Sequence, residues 1–326
     1  MKNYFILIVL FLFLSCKEST ITQEPTSKNI TKTSLVVLGN VQDAGSPHIA
    51  CKKACCKGLF KNPDYKRKVV SLGLIIPESK ETYLFEATPD MPAQMKILNE
   101  LAPFEHKETP DGIFLTHAHI GHYTGLMYLG KEAMNADAVP VFCMPRMKDY
   151  LESNGPWSQL VKNKNVNLLK WHTQSGCIRE HRDSSFSFDN FSITPDYVPH
   201  RDEYSETSCY HILVKNTKIL FIPDIDKWEK WEIDIVEEIK NVNYAFLDGT
   251  FYDGNELPGR DMKQIPHPFV VESMELFKDL SKEDKAKIHF IHFNHTNPLL
   301  NKNSKEYKEV IKKGFNIANY GDVFEL

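Results

Sequence analysis

An apolar run, Gly112-Ile113-Phe114-Leu115, ends abruptly in Thr116-His117-Ala118-His119-Ile120-Gly121-His122. A short apolar run of this kind reads as a buried strand. In extended backbone, residues i and i+2 point the same way, so His117 and His119 can face one ion. A turn at Gly121 folds His122 back towards them. Neutral imidazole is the commonest protein ligand for zinc and also suits iron. The chain must therefore place a strand in a core and carry a crowded imidazole cluster out of its end.

The ends of the chain are of a different character. Lys2 is followed by an almost unbroken apolar run from Tyr4 to Leu14. That length is short for a bilayer span and suits a signal-peptide core. It closes on Leu14-Ser15-Cys16, which resembles a bacterial lipobox; the resemblance implies cleavage before Cys16 and lipidation there. Residues 1–16 are thus expected to be a lipoprotein signal and residues 17–33, rich in Ser, Thr, Lys and Glu, a flexible tether. The expected location is the bacterial cell envelope, with the protein held to a membrane by lipid rather than spanning it. The remaining stretch of about 290 residues is long enough to bury a large core. A net charge of −4 with both signs mixed gives no case for nucleic acid as the partner and leaves a small-molecule substrate.

Strand-like runs are expected at Ser34–Gly39, Val69–Ile76, Thr82–Phe85, Gly112–Thr116, Val139–Cys143 and Val166–Trp171. A second series follows at Phe186–Phe188, Phe191–Thr194, Cys209–Val214, Lys218–Ile222, Tyr244–Asp248 and Ile288–Phe293. Helical spacing appears at Met91–Leu101, near Met147–Leu151, and at Trp228–Ile239, Val270–Phe277 and Lys305–Lys313. Strands followed by strand–helix units, twice over, predict two sheets packed face to face with helices outside.

Where the strands stop, metal-capable side chains stand. His200 follows Ile193–Val198, Asp224 follows Ile219–Ile222, and His292 and His295 end Ile288–Phe293. Ligands in α/β folds bind at loops after strands. Together with the triple-His motif, this set resembles the metallo-β-lactamase fold superfamily. That superfamily's signature is His-x-His-x-Asp-His after a strand, then a His, a bridging Asp and a final His. The resemblance covers most of residues 34–326 and implies an αββα sandwich with a metal site on one edge. It assigns His117, His119 and His200 to one metal and His122, Asp224 and His292 to a second, with Asp224 bridging and acting in catalysis. The expected cofactor is zinc, as one or two catalytic ions, with iron or manganese as the other metals such donors accept. Leu38 to Pro47, Ala87-Thr88-Pro89-Asp90, Asp248-Gly249-Thr250 and His292 to Pro298 further resemble the pyrroloquinoline quinone biosynthesis protein B (PqqB) family.

The chain departs from the superfamily signature in one place: Gly121 stands where the aspartate of the first motif is expected. The second metal position thereby loses a carboxylate, and Asp43, in the loop after the first strand, is a candidate to supply the oxygen. Cys51, Cys55 and Cys56 form a separate cluster. Related phosphodiesterases hold a structural zinc with three cysteines and a histidine, which by resemblance are Cys51, Cys55, Cys56 and His295; a disulfide within the cluster is the alternative. The expected function is metal-dependent hydrolysis of an ester, lactone, amide or phosphodiester. A PqqB-like oxidase or hydroxylase and a non-catalytic binding lipoprotein are the alternatives. Arg201 and Arg260 are candidates for binding an anionic substrate, and Tyr204, Tyr252 and His267 for protonating a leaving group.

Overall fold

A computed structural model describes residues 30–171, 185–257, 259, 261 and 264–326. The expected signal and tether, with Cys16, lie outside these residues, apart from the last few of the tether, and so do Cys177 and Arg260. The first sheet carries β1 (Ser34–Gly39), β2 (Ser71–Ile76), β3 (Glu81–Phe85), β4 (Gly112–Phe114), β5 (Val139–Cys143) and β6 (Val166–Lys170). The second carries β7 (Phe186–Ser187), β8 (Phe191–Tyr197), β9 (Ser208–Val214), β10 (Thr217–Ile222), β11 (Tyr244–Asp248), β12 (Ile288–Ile291) and β13 (Asn316–Ile317). The final strand, β14 (Val323–Glu325), returns to the edge of the first sheet beside β1.

Strand faces alternate between two destinations. On β1, Leu35 and Val37 enter the core between the sheets, whereas Val36 and Leu38 meet the outer helices. On β10, Ile219 and Phe221 face the other sheet and Leu220 and Ile222 face helices. A strand covered on both sides must be apolar at every position, which is why these strands read as unbroken hydrophobic runs. Helices Met91–Leu101, Pro145–Ser153 and Trp157–Lys162 cover the first sheet through Met91, Leu98, Met147, Leu151, Trp157 and Leu160. Helices Ile235–Lys240, Val270–Leu276 and Lys305–Lys312 cover the second. The protein is an αββα sandwich.

The helix expected over Trp228–Ile239 is broken. A short 3-10 turn spans Trp228–Lys230, and a new helix starts at Ile235, where the Asp234 side chain accepts a hydrogen bond from the Val236 amide. The two indoles set the break. Trp228 donates to Ser273 Oγ at 2.9 Å and Trp231 to the Tyr197 carbonyl at 2.7 Å, so the segment is pinned to two separate elements. The capping aspartate then restarts the helix.

Strand direction decides where function can sit. β3 to β6 are parallel to one another, as are β10 to β13. The antiparallel steps β1–β2–β3 and β8–β9–β10 bring β1 and β8 into line with them. The carboxyl ends of β1, β3, β4, β8, β10, β11 and β12 therefore open onto one rim.

A buried histidine sets an acid limit on this fold. His289, on β12, packs between Phe246 (5.3 Å between ring centroids) and Phe324 (4.9 Å) and is 9% exposed. Burial pushes its pKa down from 6.5 to about 4. Its contribution to stability is complete above the unfolded value near 6.5 and is lost as pH falls through the folded value, by up to about 3 kcal/mol. His289→Leu is expected to flatten this limb. Urea midpoints at pH 7 and pH 4 check it: a variant that loses as much stability on acidification as the parent contradicts the assignment.

Candidate metal centre

The rim gathers the six residues that the resemblance assigns to catalytic metal. His117, His119 and His122 leave β4, His200 follows β8, Asp224 follows β10, and His292 follows β12. Their meeting point is Asp224 Oδ2. It lies 3.4 Å from His117 Nε2, 4.0 Å from His119 Nδ1, 3.8 Å from His122 Nε2 and 3.2 Å from His200 Nε2. His117, His119, His200 and Asp224 each bring a donor atom within 4.8 Å of the others, and so do Asp43, His122, Asp224 and His292. Asp224 belongs to both sets.

These distances suit a small cation. Ligands about 2.0–2.1 Å from tetrahedral zinc sit roughly 3.3 Å from one another. The His117–His119 pair is 2.9 Å apart, nitrogen to nitrogen, and the other spacings bracket the tetrahedral value. His200 adds an independent sign: its side chain is shielded from solvent, and neither ring nitrogen makes a hydrogen bond, although Nε2 faces Asp224. An imidazole nitrogen held without a partner carries a desolvation penalty that a bound cation removes. The nitrogen and carboxylate donors fit zinc.

Two relays hold the histidines in one tautomer. Thr116 Oγ1 donates to Glu86 Oε1 at 2.6 Å, so the Nδ1–H of His117, 2.9 Å away, donates into the hydroxyl and leaves Nε2 bare. On the other sheet Thr250 Oγ1 donates to Asp248 Oδ1 at 2.6 Å, and His292 Nδ1 lies 2.8 Å from the same hydroxyl. Outer partners of this kind fix ring orientation and raise ligand basicity. Glu86 and His292 both sit at strand ends with left-handed backbone (φ 75° and 67°), a strained placement for a side chain of their size. The strain turns each strand end so that its side chain enters the rim. The first motif is also tied to the second sheet: the Ala118 amide donates to Ser205 Oγ at 2.8 Å, and the Tyr210 hydroxyl donates to the Leu115 carbonyl.

Electrostatics pair ionised carboxylates with imidazoles that they help to charge: burial opposes the charge, but Asp43 and Glu86 hold His122 well above its usual range, and Asp248 with Asp224 pushes His267 up to about 10. Burial opposes the charge on Asp224, but His200 and His267 outweigh it and hold the acid well below its usual range. Burial likewise opposes Asp43, and His122 with His292 holds it down. Burial, reinforced by nearby His122, lowers His117.

Of the weaker sequence candidates, His267 joins the site: its Nδ1 is 2.9 Å from Asp248 Oδ2 and 3.2 Å from Asp224 Oδ1. Asp43 Oδ1 lies 3.1 Å from both His122 Nε2 and His292 Nε2. Tyr252 is committed to Glu309, Tyr204 is exposed with its ring tilted towards Tyr150, and Arg201 is exposed beside Glu203. Glu86, Thr116 and Asp248 were not among the candidates. Asp248 lay within a quoted motif, but Glu86 carries no local signal. The cysteine cluster also assembles: Cys51, Cys55, Cys56 and His295 bring donor atoms within 4.8 Å of one another, and the three cysteines are free thiols. His295 Nδ1 bonds to Asn294 Oδ1 at 3.0 Å, and its ring lies tilted against that of His48, with centroids 4.3 Å apart.

Comparison with known proteins agrees with this architecture. Residues 81–290 match the family described as the beta-lactamase superfamily domain. Coenzyme PQQ synthesis protein B of Pseudomonas savastanoi pv. phaseolicola is 24% identical over 311 residues, covering 89% of this chain and 99% of that protein. The protein of the same name from Klebsiella pneumoniae is 24% identical over 301 residues, covering 86% and 94%. Among solved structures, Zn(2+)-bound PqqB from Methylobacterium extorquens superposes with a TM-score of 0.70 at 18% identity, covering 90% of this chain and 100% of that one. A diphosphatase from the PhnP family gives 0.60 at 18% identity, covering 90% and 97%.

Proposed function

The chain belongs to the β-lactamase superfamily and is PqqB-like, and on that premise we propose that it is a metal-dependent hydrolase acting on an ester, lactone, amide or phosphodiester. The observation that carries the reading is the convergence of four imidazoles on one oxygen of Asp224. Zinc held there would supply Lewis acidity towards a substrate oxygen and lower the pKa of water. His117, His119 and His200 would hold one ion; His122, His292 and the shared Asp224 would hold a second. Asp224 accepts a hydrogen bond from the attacking water and takes its proton, while His267, 3.2 Å from its other oxygen, keeps the carboxylate in place. Arg201, exposed near the His119–Glu203 contact, offers a charge to an anionic substrate.

Elemental analysis of the purified soluble domain, with a turnover screen over generic esters, lactones, β-lactams and phosphodiesters, tests this reading. Zinc at the rim with turnover that disappears on chelation is expected; full turnover by metal-free protein sinks it. The same measurement addresses the cysteine cluster, which we assign to a structural zinc. Cys55→Ser is expected to lower metal content by one ion per chain and to lower Tm, because structural zinc binding is folding free energy. An unchanged metal content rejects the assignment.

A second reading, metal-dependent oxidation in quinone cofactor formation, is favoured by the near full-length similarity to coenzyme PQQ synthesis proteins. Iron as the native metal, with oxygen consumption, would select it over hydrolysis. We also place the protein at the bacterial cell envelope, anchored through Cys16, on the strength of Lys2, the Tyr4–Leu14 run and Leu14-Ser15-Cys16. Labelling with a radioactive fatty acid that persists in Cys16→Ser rejects the anchor.

A further inference from the structure

Gly121 lies in the short helix Ile120–Tyr123, so its backbone is one that any residue adopts. Space is what excludes a side chain. A Cβ on Gly121 would lie 2.3 Å from Asp43 Cα, 2.5 Å from its Cβ and 2.7 Å from its Cγ, closer than real atoms approach. The volume in front of Gly121 is filled by Asp43.

Asp43 is held there from outside the motif. The Gln42 amide donates to the Phe293 carbonyl at 2.8 Å, tying the loop after β1 to the residue that follows His292. Val41 bridges both Val69 and Phe293, and a turn closes through the Gly45 amide onto the Gln42 carbonyl at 2.8 Å. From this position Asp43 Oδ1 reaches His122 Nε2 and His292 Nε2 at 3.1 Å each. An aspartate whose job is to cap its own loop turns to backbone amides. This one turns to two imidazoles that belong to two different sheets.

We propose that Asp43 is a ligand of the second cation position, and that it stands, from a distant part of the chain, in the place where the superfamily signature puts an aspartate at position 121. The inference rests on the two-cation reading above. Under it Gly121 is no lost ligand: the carboxylate has moved, and the glycine is the room it moved into. The two positions are coupled. Gly121→Asp alone drives a second carboxylate into Asp43 and is expected to displace the loop. Asp43→Asn keeps the shape and removes the anion, which hard and borderline divalent cations need.

Zinc titration of metal-stripped protein by calorimetry, with metal content measured in parallel and circular dichroism to confirm folding, tests the proposal. The parent is expected to take up two rim ions beyond the one held by the cysteines. Asp43→Asn should keep the first rim ion and weaken the second by at least about 10-fold, the loss that even an outer partner of a ligand causes. Gly121→Asp should do the same, and Asp43→Gly combined with Gly121→Asp should recover the second ion. An Asp43→Asn protein that binds both rim ions with parental affinity overturns this proposal while leaving the two-cation reading intact. A double variant no better than the single ones overturns the claim that the two positions share one place. A parent that binds fewer than two rim ions overturns the two-cation reading and this inference with it.

Discussion

Asp224→Asn is expected to lower kcat/KM on the best substrate by at least about 1000-fold, equivalent to ~4 kcal/mol of transition-state stabilisation, and to strip metal from both rim positions. The reason is the position of one atom. Asp224 Oδ2 lies between 3.2 and 4.0 Å from a ring nitrogen of His117, His119, His122 and His200. An amide is close to isosteric but neutral, so it can neither offset the charge of cations in a buried site nor take a proton from water. The buried setting makes this worse, because unpaired charge is penalised most where water is excluded. Metal content and steady-state kinetics on the same preparation check the prediction. Activity within 10-fold of the parent would show that Asp224 is an ordinary buried acid.

The largest effect on stability is expected from Phe114→Ala. Phe114 is fully buried at the end of β4, with ring centroids 5.0 Å from Phe85 and 4.7 Å from Phe142, and it lies between the two sheets. Truncating a phenylalanine in such a core costs about 3–5 kcal/mol through lost transfer energy and the cavity left behind. Because Phe114 stands three residues before His117, the same change is expected to weaken zinc uptake. A denaturant midpoint shifted by less than the equivalent of about 1 kcal/mol would mean that the core closes around the gap.

Much of this architecture was legible in the sequence for a definite reason. Strands such as Val139–Cys143 and Tyr244–Asp248 are covered on both faces, so they run apolar as far as the closing Asp248 of the second, and their bounds stood out. His200, Asp224 and His292 were legible because each interrupts such a run at its end. The helix at Trp228–Ile239 misled because its apolar spacing was continuous, while the break depends on what the two indoles bond to across the fold. Glu86 was invisible for a similar reason: one acid at a strand end has no periodic mark, and its use comes only from Thr116 and His122 being brought alongside. Asp43 was a candidate for the oxygen missing at Gly121, but the close approach of the two shows only once the loop after β1 is laid against the motif.

The origin of the rim side chains has a mechanical consequence. His117, His119 and His122 hang from one layer, and His200, Asp224 and His292 from the other, so cations bound among them would rivet the two layers together at that end. At the opposite end, beyond the β2–β3 turn, Lys215 reaches Glu78 at 3.0 Å across open solvent, a contact of little energetic weight. Chelation would then let the sandwich gape from the riveted end alone. Amides in Leu115–His122 and Ile291–His295 would loosen first, and the molecule would stay shut where aromatic rings fill its middle.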